Sequence, residues 1–160
     1  MPLSRDVPYF RMRRDLGAPI MPAPLPPGVV LVPFDERIAP ACRELMNRVY
    51  AEGFGDAVPF ETWWPRLVAD PDFDPALCYV AANGAAVVGY CQTWIEPFIK
   101  DLVVDRAFRR SGLGAALMIQ ALTTYAARNE SFVDLKTDVD NLVAQSLYRR
   151  LGFVVVERVG

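Results

Sequence analysis

The sequence predicts an α/β domain with a mixed central β-sheet flanked by helices. Three observations predict it. Short apolar, β-branched runs alternate with longer stretches whose apolar residues recur at helical spacing. Asn83-Gly84, between two strand-like runs, is a strong signal for a two-residue antiparallel hairpin. Residues 101–116 read Asp-Leu-Val-Val-Asp-Arg-Ala-Phe-Arg-Arg-Ser-Gly-Leu-Gly-Ala-Ala. They give a strand, a basic glycine-bearing loop and a helix start in that order.

Residues 1–27 are proline-rich and end at Pro26-Pro27-Gly28. They predict an N-terminal arm, distinct from a domain over residues 28–160. Tyr9, Phe10, Met12 and Ile20 are costly to leave in water, so the arm is expected to dock. Residues 29–34 read as a strand. Asp35 can cap a helix from about residue 36 to 52, with Ile38, Cys42, Leu45, Met46 and Val49 on one face. Residues 60–69 suggest a short helix, broken or kinked at Pro65. Residues 77–82 and 85–94 form the hairpin strands, and residues 98–104 a further strand. The helix over 112–128 turns Leu117, Met118, Ala121, Leu122 and Tyr125 to one side. A strand over 132–137 follows. Asp140 or Asn141 caps the next helix, Gly152 stops it, and residues 153–159 form the last strand.

Composition narrows the function. The 160 residues suit one domain, and about half are apolar. A net charge of −2 disfavours an electrostatic nucleic-acid binder. No run is long and apolar enough to suggest a membrane span. The three cysteines are widely spaced and form no metal pattern, which suits free thiols in the cytoplasm. The chain has no histidine, so a catalytic base must be a carboxylate or a water chain.

The glycine loop is the candidate binding site. First-turn amides of a helix lack internal partners and carry partial positive charge. Gly112 and Gly114 would let a phosphate approach the backbone. The pattern lacks the Gly-Lys-Ser/Thr of a P-loop, and Leu117 stands where a dinucleotide fingerprint needs a third small residue. A plain loop-to-helix turn with surface arginines accounts for these residues equally well.

Arg109-Arg110-Ser111-Gly112-Leu113-Gly114 resembles the Arg/Gln-x-x-Gly-x-Gly/Ala motif of the GCN5-related N-acetyltransferase (GNAT) superfamily. Asn141-x-x-Ala144-x-x-Leu147-Tyr148-x-x-x-Gly152-Phe153 resembles a second motif of that family. Arg106 departs from the proline many members carry. The resemblance implies the GNAT acyl-CoA N-acyltransferase fold over roughly residues 28–160. It also implies transfer of acetyl from acetyl-CoA, as cosubstrate, to a primary amine of a small molecule or protein.

By that resemblance, Arg109, Arg110, Ser111, Gly112, Leu113, Gly114 and Ala115 hold the pyrophosphate. Leu102, Val103 and Val104 pair with the pantetheine arm in a gap between two parallel strands. Asn141 contacts the cofactor as well as capping its helix. Tyr148 is the implied general acid. Glu96, with Asp101 beside it, is the candidate base. Glu52, Asp56 and Glu61 are candidates for binding a cationic acceptor, and Phe54, Phe60, Trp63 and Trp64 for walling its pocket. No metal is implied. The partners implied are acetyl-CoA and an amine, with a possible homodimer, and with neither nucleic acid nor membrane. A second reading is a non-catalytic acyl-CoA-binding or protein-interaction module with the same fold. A dinucleotide oxidoreductase fits the strand arrangement poorly. Family members usually have a seventh strand after the one holding Val154–Val156, and this chain ends at Gly160. The arm, or a partner subunit, is therefore expected to cover that sheet edge.

Overall fold

The computed structural model describes residues 7–160, so the first six residues of the proline-rich arm lie outside the described residues. The strands are β1 (Tyr9–Asp15), β2 (Val29–Val32), β3 (Cys78–Asn83), β4 (Ala86–Trp94), β5 (Phe98–Val104), β6 (Phe132–Asp138) and β7 (Val154–Val159). The helices are α1 (Ala39–Tyr50), α2 (Phe60–Ala69), α3 (Leu113–Ala127) and α4 (Leu142–Arg150). Together they make a mixed seven-stranded sheet in the order β2-β3-β4-β5-β6-β1-β7. Every described pairing is antiparallel except that of β5 with β6.

Strand alternation divides the core in two. On one face, Tyr79, Ala81, Val88, Cys91 and Ile99 meet Leu113, Leu117, Met118, Ala121, Leu122 and Tyr125 of α3 and Tyr148 of α4. On the other, Cys78, Val80, Val87, Tyr90 and Val103 meet Cys42, Leu45, Met46 and Tyr50 of α1 and Leu67 of α2. Gly89 is where α3 comes closest to β4: an added Cβ would lie 2.9 Å from a Leu117 methyl. Two boundaries differ from the sequence reading. Asp35 Oδ1 accepts from the amides of Arg37 and Ile38, which holds a turn there, and α1 begins at Ala39 with Pro40 in its first turn. The helix α2 runs through Pro65 unbroken.

The arm supplies a strand inside the sheet. Residues 9–15 pair with β6 along all seven residues and with β7 on the other side. β1 therefore lies between β6 and β7, and β7 is the outer strand. Met12 is fully buried in the α3/α4 core. Arg14, also buried, donates to the carbonyls of Asp15, Ala18, Pro19 and Leu151, tying the arm to the end of α4. On the opposite face, Arg11 and Arg13 both bind Asp134 of β6, at 2.7 and 2.8 Å, and Arg11 reaches Glu157 of β7 at 2.9 Å. Arg13 also lies 3.7 Å over the Phe132 ring.

Burial raises the Asp134 carboxyl, but the hydrogen bonds from Arg13 and Arg11 outweigh it and the net shift is below the ordinary value of 3.8. A depressed folded-state pKa stabilises the fold above the unfolded value and ceases to do so as pH falls through the folded one. Asp134→Asn is expected to lower stability to urea at pH 7, with the difference from wild type shrinking as pH falls below about 3.8. Urea titrations across pH 2–7 would check this.

Candidate functional site

The site begins where two strands part. β5 and β6 pair only at Phe98↔Asp134 and Ile99↔Leu135. Beyond that point β5 stays on β4, through Leu102↔Cys91, Val103↔Tyr90 and Val104↔Gly89. β6 stays on β1, through Lys136↔Arg11, Thr137↔Phe10 and Asp138↔Tyr9. Each strand is held on its outer side and faces a gap on its inner side. The β4–β5 register also steps from Gln92↔Asp101 to Thr93↔Ile99, so Lys100 is an extra, bulged residue. Bulges re-aim side chains beside functional sites. At the closed end, Tyr125 of α3 donates to the Trp94 carbonyl at 2.5 Å and pins the β4–β5 turn.

At the open end β5 feeds the glycine loop. Asp105 Oδ1 accepts from the Ala107 amide at 2.9 Å and starts a single 3₁₀ turn at Arg106–Phe108. Arg110 has φ 61°, and Gly112 caps α3 with φ 86°, a conformation that only glycine adopts cheaply. The first intrahelical bond runs from Ala116 N–H to Gly112 C=O. The cap contributes no side-chain bond. The amides of Leu113, Gly114 and Ala115 therefore have no acceptor within the described residues. Gly114 is not demanded by the protein's own packing, since an added Cβ would meet only ordinary contacts with Leu147 and Val104. A glycine kept there suits the close approach of another molecule. The amides, the αL glycine and the parted strands together fit a diphosphate with an extended tail.

Arg109 does not turn toward these amides. Its guanidinium binds Glu52 at the end of α1 in two contacts, 2.6 and 3.1 Å. This hydrogen-bonded pair raises Arg109 and lowers Glu52 from their ordinary pKa values. Glu52 is thus engaged with the loop. Arg48 similarly joins α1 to Asp105 at 3.2 Å.

Two buried polar side chains come from the elements that border the gap. Tyr148 of α4 is 3% exposed, lies tilted against the Phe153 ring and makes no hydrogen bond within the described residues. Burial, and then nearby Cys91 and Asp101, raise its hydroxyl above the ordinary tyrosine pKa, so it is protonated through the neutral range. Asp101 of β5 is 5% exposed and accepts a hydrogen bond from the Tyr50 hydroxyl of α1. Glu96 stands apart, exposed in the β4–β5 turn, with its amide on Asp72 Oδ1. Asn141 caps α4 through the Ala144 amide at 3.2 Å. Across the gap, Asp138 at the end of β6 is buried, its Oδ1 has no hydrogen-bond partner among the described residues, and burial raises its pKa.

The α1–α2 segment shapes the far wall. Arg43 and Asn47 hold the Asp56 and Val58 backbone. Phe54 is 45% exposed at φ 61°, a strained position for a bulky residue. Phe60, Trp63 and Trp64 pack instead into an aromatic cluster with Phe34 and Tyr90. Asp56 contributes its carbonyl to Arg43. Tyr50 and Asp138 were not visible as site residues. Tyr50 continues the apolar stripe of α1, and Asp138 reads as an ordinary strand end.

Residues 39–153 match the acetyltransferase (GNAT) family. The chain is 31% identical to mycothiol acetyltransferase of Thermobispora bispora over 165 aligned positions, covering 94% of this chain and 55% of that protein. It is 31% identical to human N-alpha-acetyltransferase 30 over 93 positions, covering 53% of this chain and 26% of that protein. A crystal structure of a GCN5-related N-acetyltransferase from Sphaerobacter thermophilus superposes with a TM-score of 0.82 at 24% identity, over 99% of this chain and 50% of the other. The chain thus spans about half the length of these longer proteins at most.

Gly112→Glu would bring bulk, a carboxylate and a strained φ to the mouth of the anion site. It is expected to weaken coenzyme A binding at least tenfold by calorimetry, with wild-type binding of a nucleotide-free thiol such as pantetheine left as the weaker reference.

Proposed function

Since the chain belongs to the acetyltransferase (GNAT) family, we propose that it transfers acetyl from acetyl-CoA to a primary amine by direct attack on the thioester. The observation that carries this is the gap between β5 and β6, with free helix amides after β5 and the buried Asp101 on β5 and Tyr148 on α4 nearby. The amides of Leu113, Gly114 and Ala115, with the loop of Arg109, Arg110, Ser111 and Gly112, bind the pyrophosphate. The inner edge of Leu102, Val103 and Val104 accepts the pantetheine arm as an added strand. Asn141 sets the start of α4, and so the place of Tyr148.

The ammonium form of the acceptor must lose a proton before it can attack. Asp101 takes that proton, because it is buried on β5 near Tyr148 while Glu96 is exposed in a turn. The amine nitrogen then bonds to the carbonyl carbon and the carbon–sulfur bond breaks. Tyr148 gives its proton to the leaving sulfur. The second nitrogen proton, lost as the amide forms, restores the tyrosine. A backbone N–H of β5 facing the gap stabilises the developing oxyanion, a role worth about 2.7–4 kcal/mol in other acyl transfers.

The acceptor is a cationic amine of a small molecule or a protein. Asp101 and Asp138, on the two parted strands, favour positive charge at the mouth of the gap. Relatives named for mycothiol acetylation and for N-alpha-acetylation support both classes. The three cysteines are free and buried, which supports a reducing, cytoplasmic setting. A homodimer is part of the same reading: β7 is an outer strand with Val154, Val155 and Val156 exposed.

Release of free coenzyme A thiol across a panel of small amines and peptides tests the activity. Tyr148→Phe is expected to lower turnover by about 10²–10⁴-fold while leaving coenzyme A affinity within twofold. An unchanged rate would remove Tyr148 from the mechanism, and coenzyme A binding with no turnover across the panel would overturn the reaction.

A further inference from the structure

Tyr50 of α1 reaches Asp101 on the face of the sheet that α1 covers. It ends α1, is 3% exposed, and its hydroxyl donates a hydrogen bond to Asp101 Oδ1 across 51 residues of sequence. That bond uses one carboxylate oxygen. Oδ2 has no hydrogen-bond partner within the described residues and is not sealed in the protein. Fixing one oxygen of an aspartate removes rotation about its terminal torsion, which is broad when unconstrained. The free oxygen is then held in one orientation.

The surroundings of Tyr50 hold its ring as firmly as its hydroxyl. An added Cβ on Gly55 would lie 2.3 Å from Tyr50 Cδ1 and 2.5 Å from Cγ, so the 53–58 segment rests its backbone directly on the ring. Arg43, itself 4% exposed, has its guanidinium 5.9 Å from the centre of the same ring and binds the Asp56 carbonyl at 3.1 Å. Asn47 binds the Val58 amide and carbonyl at 3.0 Å. Two side chains of α1 thus clamp the segment over Tyr50, and Tyr50 carries that position to Asp101. A buried tyrosine needs a hydrogen-bond partner, and the sheet offers many backbone groups. Here the partner is the buried carboxylate of Asp101, which also feels the charge of the Arg43 guanidinium.

We infer that Tyr50 is a positioning residue for the acceptor reaction: its hydroxyl fixes one oxygen of Asp101 so that the other receives the acceptor ammonium, and the Gly55 backbone holds the ring in place for it. The inference rests on the assignment of Asp101 as proton acceptor, and its test separates the two. Carboxylates aligned within about half an ångström of their target outperform mobile ones, because misplacement costs rate rather than binding of the distant partner. Tyr50 lies outside the phosphate site, so coenzyme A affinity is not its concern.

The experiment is a double-mutant cycle read as kcat with acetyl-CoA and the best amine of the panel, on wild type, Tyr50→Phe, Asp101→Asn and the double variant. Tyr50→Phe keeps the ring and removes only the hydroxyl. It is expected to lower kcat about tenfold, leaving KM for acetyl-CoA and coenzyme A affinity within twofold. Asp101→Asn is expected to lower kcat further, and adding Tyr50→Phe to it is expected to change kcat by less than about twofold. Gly55→Ala, which displaces the ring, is expected to reproduce the Tyr50→Phe loss. A merely structural tyrosine would cost the same factor in both backgrounds, and that result would overturn the inference. So would wild-type kcat in Tyr50→Phe. Wild-type kcat in Asp101→Asn would instead overturn the assignment of Asp101 on which the inference rests.

Discussion

The ladder between β5 and β6 stops after Ile99 and Leu135, and the rest of the structure depends on that stop. Unpaired strand edges inside a sheet leave backbone donors and acceptors without partners, which is costly unless water or a ligand meets them. Strands in that position would normally close together. Each is held on its other side, β5 by β4 and β6 by β1. The helices fill the angle between them: Tyr148 and Leu147 of α4 enter the α3 core, and Leu102 and Val104 of β5 pack against it. The Lys100 bulge twists β5 as it leaves the ladder.

The strand that keeps β6 in place comes from the start of the chain. β1 joins β6 to β7, and β7 follows α4 with only Leu151, Gly152 and Phe153 between. Gly152, at φ 95°, allows that sharp turn, and a Cβ there would sit 3.0 Å from Arg14 Nε. The same Arg14 binds the Leu151 carbonyl. The position of Tyr148 is therefore set from two directions, by the Asn141 cap before it and by the β1 arginine after it. The seventh strand of this sheet is supplied at the front of the sequence, and the chain order of the remaining elements is unaffected.

Much of this was legible in the residues. The β3–β4 hairpin, the glycine before α3, the Asn141 cap and the Gly152 stop are local chemistry, and local chemistry is what a sequence displays directly; the hairpin turn falls one residue later than expected, at Gly84-Ala85, because Asn83 still pairs with Ala86. The two motifs added the parallel β5–β6 pair and its opening. What stayed hidden were relations between distant residues. Residues 9–15 carry Met12 and Arg14 toward the core and Arg11 and Arg13 away from it, a period-two pattern that the surrounding prolines and the run of arginines obscured. Arg109 and Glu52 are ordinary surface charges until the fold joins α1 to the glycine loop. Tyr50 and Asp101 are 51 residues apart, and nothing local marks either as the other's partner. Glu96 and Asp101 look alike as strand charges, and only the register distinguishes the turn from the gap.

The most direct test of the account is an amide NMR titration of the ligand-free protein with coenzyme A. The account predicts the largest ¹H–¹⁵N shifts at Gly112, Leu113, Gly114 and Ala115, with a second set along Leu102, Val103 and Val104 and on the facing residues Lys136 and Thr137. Saturable binding with shifts confined to other parts of the sheet, or a titration that leaves the Leu113–Ala115 amides unmoved, would contradict it.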